Sequence, residues 1–394
     1  MKEVKNDFFA LIKYALDNQK YNKVINDADK LFQMANDAGV AGLIYQTLVK
    51  ENIEQDSYHK FEKAFYLFTK KDVITNLDIL EISELFSNNQ IKHIFLKGSF
   101  LKQIYPESYM RLMGDIDVLV SEEDLPKASK VFAEYGYKHF LTNQSHTCYI
   151  SNRKTLIEVH GSLNSEDTDR YTKFLKRTWE EVYQISDYRY ELNPEYNLVY
   201  LLIHLVKHLN SSGIGVRSVL DIGIFVNYFY DNLNEEKLMM FLQETKLELF
   251  FKNMLWLNEK CFGFDFSKYL EGFNQDESFL EEVTDYIILS GVHGFGKDFN
   301  RFTPRITSHV RKANNSRKGK FKHLIVTIFP SKKSMLPSYR YLNKYPFLLP
   351  WAWISRWTKL VFKNPKRTLH KSKKLFIEKK PIEDIVNLYD RLGV

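Results

Sequence analysis

The chain has 394 residues, of which 44% are hydrophobic, 27% are charged and 15% are aromatic, which is typical of a folded protein with a sizeable core and excludes a disordered chain. Its net charge is +7, and its two cysteines, Cys148 and Cys261, favour a reducing compartment over a disulfide-stapled secreted fold. Charges recur through the first twenty residues and no uncharged apolar run reaches about 18 residues, so we expect no signal peptide, no membrane-spanning helix and a cytoplasmic location.

The first part of the chain is predicted to be helical. Leu31, Met34 and Ala35 recur at helical spacing, and a long helix is expected from about residue 57 to residue 86. The polar residues that follow it are expected to end this helix. Residues 1–90 are therefore interpreted as an N-terminal helical region.

The next part of the chain alternates strand and helix patterns. Apolar runs predict strands at residues 91–96, 115–120, 149–150 and 156–160. The last two strands are expected to pair as a hairpin through the turn at 151–154. Helices are expected again from about residue 167 to about residue 289. The fold class is therefore predicted as α+β, a small mixed sheet between N-terminal and C-terminal helical regions.

Asp115 and Asp117 lie two residues apart in a predicted strand, where side chains at that spacing share a face. Ile116 and Val118 then point into the core. Because neighbouring carboxylates repel each other, we expect at least one raised pKa without metal, and we expect Asp117→Asn to leave stability unchanged or slightly higher. A hard cation such as Mg²⁺ prefers oxygen ligands and would neutralise the pair. The alternative is a solvated strand end.

Glu158 adds a third carboxylate on a later predicted strand. The run from Leu156 to His160 alternates, so that Glu158 and His160 share one face and the apolar residues share the other. Three carboxylates on neighbouring strands could hold two metal ions that clamp the attacking and leaving oxygens of a phosphoryl displacement. The alternative is an edge strand with one wet face.

Gly98 and Ser99 lie between a predicted strand and a short predicted helix. Backbone N–H groups at the start of a helix attract phosphate, and glycine lets the phosphate approach closely. The Ser99 hydroxyl could donate a hydrogen bond to a phosphate oxygen. Such a turn indicates no function by itself. It becomes evidence for a phosphate site only because it precedes the Asp-x-Asp strand in the chain.

Taken together, these pieces resemble the signature of the DNA polymerase β-like nucleotidyltransferase superfamily. Within it, the chain is similar to a bacterial nucleotidyltransferase family whose core reads Leu-Lys-Gly, Tyr-Pro, Arg-x-x-Gly-Asp-Ile-Asp and acid-x-His. The matching positions here are Leu96–Gly98, Tyr105–Pro106, Arg111–Asp117 and Glu158–His160. The likeness is dense over residues 91–163 and looser over residues 30–50 and 204–221.

The resemblance implies a metal-dependent transfer of a nucleoside monophosphate from an NTP, with release of pyrophosphate and with Mg²⁺ or Mn²⁺ as the cofactor. It implies that Asp115 and Asp117 bind both ions. It also implies that Glu158 binds the ion nearer the attacking hydroxyl and helps to deprotonate that hydroxyl. The sheet is accordingly expected to have polymerase β-like topology.

The resemblance also implies a set of nucleotide-binding residues. These are Lys97, Gly98, Ser99, Arg111, Lys207 and His208. Two alternatives remain open, since Lys97 could cap its strand and Arg111 could pair with Glu107.

His204 and His208 stand four residues apart, as zinc ligands on a helix do, but the glutamate of the His-Glu-x-x-His motif is absent. The resemblance instead implies that their helix closes the nucleotide pocket, with Lys207 or His208 near the base or the phosphates. The alternative is that these histidines only pack against the core.

The positive charge is concentrated near the C-terminus. Residues 301–380 contain 22 Lys and Arg and one acid, a net charge of +21, whereas residues 1–300 carry a net charge of −12. Large aromatic residues such as Trp351 and Trp357 lie among the cations. This pattern suits an anionic membrane surface or packing within the protein, with nucleic acid as a third alternative.

The predicted regions are an N-terminal helical region, a catalytic core, a helical region that closes the site and a basic aromatic segment, at residues 1–90, 91–165, 166–300 and 301–394. The acceptor of the nucleotide cannot be read from the sequence. Two rival interpretations are a fold that has lost catalysis, and a membrane-associated protein of envelope polysaccharide or peptide biosynthesis, peripheral at the inner face of the membrane.

Overall fold

The chain forms two compact units in the computed structural model. The first unit comprises residues 1–207 and 214–297 together with Gly393, and the second comprises residues 208–213 and 298–392 together with Val394. The structure describes residues 2–142, 146–163, 170–294, 296, 299, 302–313, 324–336, 338–363 and 379–394.

The first unit begins with the helices that the sequence predicts. They are α1 (Lys2–Leu16), α2 (Ala28–Asp37), α3 (Ala41–Ile44) and α4 (Gln55–Asn88). The side chain of Asp27 accepts a hydrogen bond from the Lys30 N–H and so caps α2. The second half of α4 packs against the sheet through Ile79, Ile82 and Phe86.

The first unit contains a mixed sheet of seven strands, with helix α5 (Gly98–Leu101) directly after the first strand. The strands are β1 (His93–Phe95), β2 (Asp115–Val120), β3 (Lys138–Thr142), β4 (His146–Ile150), β5 (Leu156–His160), β6 (Val182–Ser186) and β7 (Arg189–Leu192). Their order is β3-β4-β5-β2-β1-β7-β6. The β2–β5 and β1–β7 pairs are parallel, and the other neighbours are antiparallel.

One face of this sheet is covered by apolar packing. Ile116 and Val118 of β2 are fully buried, as the sequence predicted, and they pack in the same cluster as Ile157 and Val159 of β5. Helix α6 (Leu125–Glu134) contributes Phe132 to this cluster. Because side chains alternate along a strand, the acidic residues of β2 and β5 are left on the opposite face.

The sequence interpretation missed three strands. Residues 182–192 were expected to be helical, but they form β6 and β7, a hairpin at the end of the sheet whose turn contains Tyr188 with a φ of 59°. All of β6 except Val182 is exposed, so its apolar residues show no buried face from which a strand could be recognised. Strand β3 was missed for the same reason, and β1 is shorter than expected.

Further helices follow β5, and they lie in the first unit except for the end of α8 from His208 onward, which belongs to the second unit. They are α7 (Thr172–Leu175), α8 (Pro194–Ser211), α9 (Val216–Tyr228), α10 (Glu235–Thr245), α11 (Glu248–Phe262), α12 (Ser267–Leu270) and α13 (Glu277–Ser290). Helices α9 and α11 approach closely at Gly223, where a Cβ atom would lie 2.0 Å from Asn258 Oδ1. The Asn258 amide also donates a hydrogen bond to the Val219 carbonyl, which joins the two helices.

The second unit contains helices α14 (Phe302–Ala313), α15 (Lys332–Met335), α16 (Leu349–Lys363) and α17 (Lys379–Leu392). Ile306 and Val310 of α14 pack with Ile382 of α17. A separate cluster is formed by Met335, Tyr339, Leu342 and Ala352. Across the described parts of the chain, every helix is too short or too polar to cross a bilayer.

Candidate active site

The three predicted carboxylates lie on one face of the sheet. In the parallel β2–β5 pair, Asp117 is directly opposite Glu158, and Asp115 precedes Asp117 by two residues on the same face. Asp117 is 6% exposed, and Asp115 and Glu158 are partly buried. We call Asp115, Asp117 and Glu158 the carboxylate face.

Two histidines extend the carboxylate face. His160 Nε2 lies 2.8 Å from Asp117 Oδ1 and 3.7 Å from Glu158 Oε2. His146 of β4 pairs in register with His160, and its Nε2 lies 3.4 Å from Glu158 Oε1. The sequence interpretation did not select His146, although extending the predicted 149–160 hairpin by three residues would have placed it opposite His160.

A lysine supplies the nearest positive charge. Lys97 Nζ lies 2.6 Å from Asp117 Oδ1, so Lys97 does more than cap its strand. Its φ of 50° is uncommon for a residue with a side chain, and such backbone strain clusters at functional sites. The chain itself therefore provides a cation at Asp117.

These charges separate the pKa values of the three acids. Burial and the neighbouring Asp117 raise the pKa of Asp115 above its usual range. Burial and both aspartates likewise raise the pKa of Glu158 to about 7. Burial also disfavours the ionised form of Asp117, but Lys97 and His160 outweigh it and hold the pKa of Asp117 well below its usual range.

The contacts of Asp117 argue against the expectation that Asp117→Asn would relieve repulsion, and the stability of that variant stays a prediction. Asp117 is the acid whose charge is stabilised, because the Lys97 ammonium and His160 both contact it. Removing its charge would leave Lys97 buried without its partner. The repulsion that the sequence predicted falls instead on Asp115 and Glu158.

Gly98 and Ser99 begin α5, a helix of only four residues. A Cβ atom on Gly98 would lie 3.2 Å from Met113 Cγ and 3.7 Å from Arg111 Nη1, so glycine permits close packing here. Ser99 is 1% exposed, and among the described residues its hydroxyl has no hydrogen-bond partner. The short helix and the buried hydroxyl make a weaker phosphate cradle than the sequence suggested.

Arg111 pairs with Asp221 of α9 rather than with Glu107. Its Nε and Nη2 atoms lie 2.7 Å and 2.8 Å from the two Asp221 carboxylate oxygens. The Tyr105 hydroxyl donates a further hydrogen bond to Asp221 Oδ1 at 2.8 Å. This bidentate pairing occupies the edge of the guanidinium that would otherwise meet a phosphate, and the sequence interpretation did not predict it.

Helix α8 carries the remaining candidates. Lys207 is half-buried, and its positive charge opposes the rise in the pKa of Glu158. His208 is the next residue and is counted with the second unit. Tyr200, which the sequence interpretation did not select, has a pKa raised to about 12, chiefly by burial, and the charges of Lys97 and Asp117 also act on it.

A family described as uncharacterised nucleotidyltransferase matches residues 26–263. The chain belongs to this nucleotidyltransferase family. No curated protein and no solved structure matches the chain. The family match includes the carboxylate face and every nucleotide-binding candidate, and it supports a role in nucleotidyl transfer.

The donor set of this nucleotidyltransferase suits divalent cations. Oxygen ligands from Asp115, Asp117 and Glu158 are those that Mg²⁺ and Mn²⁺ prefer. Burial and the negative charge of the neighbouring aspartates raise the pKa values of Asp115 and Glu158. An added cation would offset that negative charge.

Proposed function

We propose that this chain transfers a nucleoside monophosphate from an NTP to an acceptor and releases pyrophosphate, at a site formed by Asp115, Asp117 and Glu158. The observation that carries the proposal is the β2–β5 register, which sets Asp117 opposite Glu158 on a face that also holds Asp115. The family match supports the same reaction class.

The carboxylate face would hold Mg²⁺ or Mn²⁺ through Asp115, Asp117 and Glu158. When bound, such ions neutralise phosphate oxygens and stabilise the charge that develops during phosphoryl transfer. Glu158 would also help to deprotonate the acceptor hydroxyl, from its place on the face that holds the ions. Lys97 would remain as the cation that orients Asp117.

The nucleotide would lie beside α5 and α8. Gly98 offers close backbone approach, and Ser99 offers a hydroxyl that no described residue uses. Lys207 offers a positive charge near Glu158, and His208 is the candidate next to it. Arg111 would support the turn at Gly98 rather than bind phosphate directly, because its guanidinium lies beside Gly98 and is already paired with Asp221.

We also assign polymerase β-like topology to this sheet. The support is the order of its parts, in which the Gly98-Ser99 turn follows β1 and precedes the Asp-x-Asp strand β2. Strand β2 lies next to β5, which contributes the third acid, and antiparallel to β1.

The direct test uses the full-length chain with each of the four NTPs labelled on the α-phosphate. We expect one or more NTPs to bind only when Mg²⁺ or Mn²⁺ is present, and chelation by EDTA to abolish binding. With a fractionated cell extract as the source of acceptor, label should appear in an acceptor and pyrophosphate should be released. Label release as free monophosphate without transfer, or metal-independent NTP binding, would contradict the proposal.

A second proposal concerns the second unit, which we infer binds an anionic membrane surface. Trp351 and Ile354 are 67% and 54% exposed and stand three residues apart in α16, and Phe347, in the turn before α16, is 73% exposed. Residues 301–380 carry a net charge of +21. Exposed aromatic side chains among cations suit the headgroup region of anionic lipid.

Other aromatic residues of this unit pack within the unit itself. Tyr339 is 8% exposed, and Trp353 donates a hydrogen bond to the Pro330 carbonyl at 2.9 Å. The segment thus combines an internal cluster with an exposed apolar set. The exposed set is the part that would contact lipid. The protein would then be cytoplasmic and would bind peripherally at the inner face of the membrane.

Vesicle flotation tests this second proposal. We expect the chain to float with vesicles rich in phosphatidylglycerol and not with pure phosphatidylcholine vesicles. Phe347→Ser and Trp351→Ser should abolish flotation. Phe140→Ser, at an equally exposed phenylalanine on β3, is the matched control and should float normally. Binding of the wild type to RNA but not to vesicles would favour the nucleic-acid alternative.

A further inference from the structure

The two histidines at the carboxylate face form a group of their own with Glu158. One ligand atom from each of His146, Glu158 and His160 lies within 4.8 Å of the other two. His146 Nε2 is 3.4 Å from Glu158 Oε1, and His160 Nε2 is 3.7 Å from Glu158 Oε2. Ligand atoms about 2.0–2.1 Å from a tetrahedral ion are roughly 3.3 Å apart. Each histidine nitrogen approaches that spacing from a different oxygen of the Glu158 carboxylate.

The backbone holds this group in place. His146 and His160 are register partners in the antiparallel β4–β5 pair, so their side chains leave the same face. Glu158 and His160 share that face because they are two residues apart in β5. Ligands carried by adjacent strands keep their relative positions better than ligands carried by loops.

The chemistry of the group differs from that of the Asp115–Asp117 pair. Imidazole nitrogen suits Zn²⁺, Co²⁺ and related transition-metal ions, whereas Mg²⁺ prefers a shell of oxygen and water. Two histidines and one carboxylate, with a further position left for water or substrate, are a ligand set found at catalytic zinc sites. The three-carboxylate interpretation of the sequence took no account of these nitrogens.

We propose that His146, Glu158 and His160 bind a divalent transition-metal ion, with Zn²⁺, Co²⁺ and Mn²⁺ preferred over Mg²⁺. This inference builds on the proposed function, because it identifies the metal position to which Glu158 contributes. The neighbouring position at Asp115 and Asp117 keeps oxygen ligands and remains suited to Mg²⁺.

Metal binding requires one proton to move. With its proton on Nε2, His160 donates a hydrogen bond to Asp117 Oδ1 across 2.8 Å. Binding an ion through Nε2 uses that nitrogen's lone pair, so a neutral His160 ring then carries its proton on Nδ1 and no net proton is released. Asp117 loses this donor and keeps its contact with Lys97.

The test is a metal titration of the untagged full-length chain after chelation, without nucleotide. We expect one equivalent of Co²⁺ to bind with the visible absorption of a nitrogen-ligated ion of low coordination number. Equimolar Zn²⁺ should displace it, and a hundredfold excess of Mg²⁺ should not. This competition uses the wild type and therefore does not depend on whether any variant folds.

Variants then locate the site. His146→Asn and His160→Asn should each weaken Co²⁺ binding by at least about tenfold and change the absorption spectrum. His139→Asn is the matched control, because His139 is an exposed histidine on the neighbouring strand β3. Wild-type chain that fails to bind Co²⁺, or binding that survives both substitutions with an unchanged spectrum, would overturn the inference.

The titration also separates this inference from the proposed function. If Co²⁺ binds as expected but no NTP is turned over with any metal, the nucleotidyl transfer proposal fails and the metal site stands. If Mg²⁺ alone supports full NTP turnover and the wild-type chain binds no Co²⁺ in the titration, the metal site fails and nucleotidyl transfer stands.

Discussion

Two buried groups of charged residues in the first unit are organised in opposite ways. Around Asp221, the carboxylate is contacted by two N–H groups of Arg111 and by the Tyr105 hydroxyl, and we call these three residues the Asp221 network. On the carboxylate face, Lys97 and His160 contact Asp117, while Asp115 and Glu158 have raised pKa values.

The difference indicates which group stabilises the fold and which group is suited to bind cations or move protons. A buried carboxylate that is paired with hydrogen-bond donors is tolerated in a fold, and removing one of the partners leaves a buried charge that destabilises the fold. Acids held together with too little positive charge cost stability, and proteins keep such arrangements at sites that bind cations or move protons. The Asp221 network thus joins α9 to the segment before β2, and the carboxylate face is the surface to which we assign the proposed chemistry.

The largest expected effect is on activity at Asp115. Asp115→Asn removes a proposed metal ligand and should lower NTP turnover by three orders of magnitude or more, about 4 kcal/mol of transition-state stabilisation. Because burial and Asp117 raise the pKa of Asp115, its ionised form is less favourable in the folded chain than in the unfolded chain. The metal-free variant should therefore melt at the same temperature as the wild type or higher. A lower melting temperature with retained turnover would show that Asp115 is structural.

Asp221→Asn should show the opposite pattern. It leaves Arg111 buried without a charged partner and should destabilise the fold by about 3–5 kcal/mol. Chemical denaturation measures this loss, and Asp231→Asn, at an exposed aspartate after α9, is the control that should change little. An equal, small effect at both positions would contradict the assignment of a structural network.

Asp117 should be needed for both NTP turnover and stability. Asp117→Asn should abolish turnover and also destabilise the metal-free chain by about 3 kcal/mol, because Lys97 loses its partner 2.6 Å away. The double variant Lys97→Met with Asp117→Asn should regain part of that stability. Additive losses in this double-mutant cycle would show that the two side chains do not interact.

Glu158 should make the stability of the metal-free chain depend on pH. Its folded pKa of about 7 lies above the unfolded value of about 4.5, so the folded state binds more protons between these values. The stabilisation by the protonated form is complete below about pH 4.5 and is lost as the pH rises through 7. Glu158→Gln should therefore stabilise the metal-free chain by about 3 kcal/mol at pH 8 and have no effect near pH 4.5. Stability differences that do not depend on pH would contradict this.

The smallest effect is expected at Gly98. Gly98→Ala should cost about 1 kcal/mol of stability, because its Cβ would lie 3.2 Å from Met113 Cγ, and it should weaken NTP binding. Gly114→Ala is the stability control, since a Cβ there has no neighbour within 4 Å. Unchanged NTP affinity in Gly98→Ala would argue against phosphate contact at α5.

Local patterns were sufficient for the central part of the fold. The alternation in β2 and β5 predicted which residues are buried, because a strand with one apolar face can pack in only one orientation. Helix α4 was predicted within two residues at either end from its apolar spacing. The hairpin β6–β7 was not predicted, because Leu192 is the one buried residue of its two strands and its place in the sheet depends on pairing with distant β1.

For the candidate site, the sequence by itself determined which acids share a face, since that follows from the two-residue period of a strand. It also identified the nucleotidyltransferase family through the order of its motifs. Only the tertiary structure decided the partners of those acids. Lys97 reaches Asp117 and Arg111 reaches Asp221 across 20 and 110 residues of chain. Such contacts depend on how elements pack in space, and they decide which carboxylates are stabilised as charges and which are left for a cation.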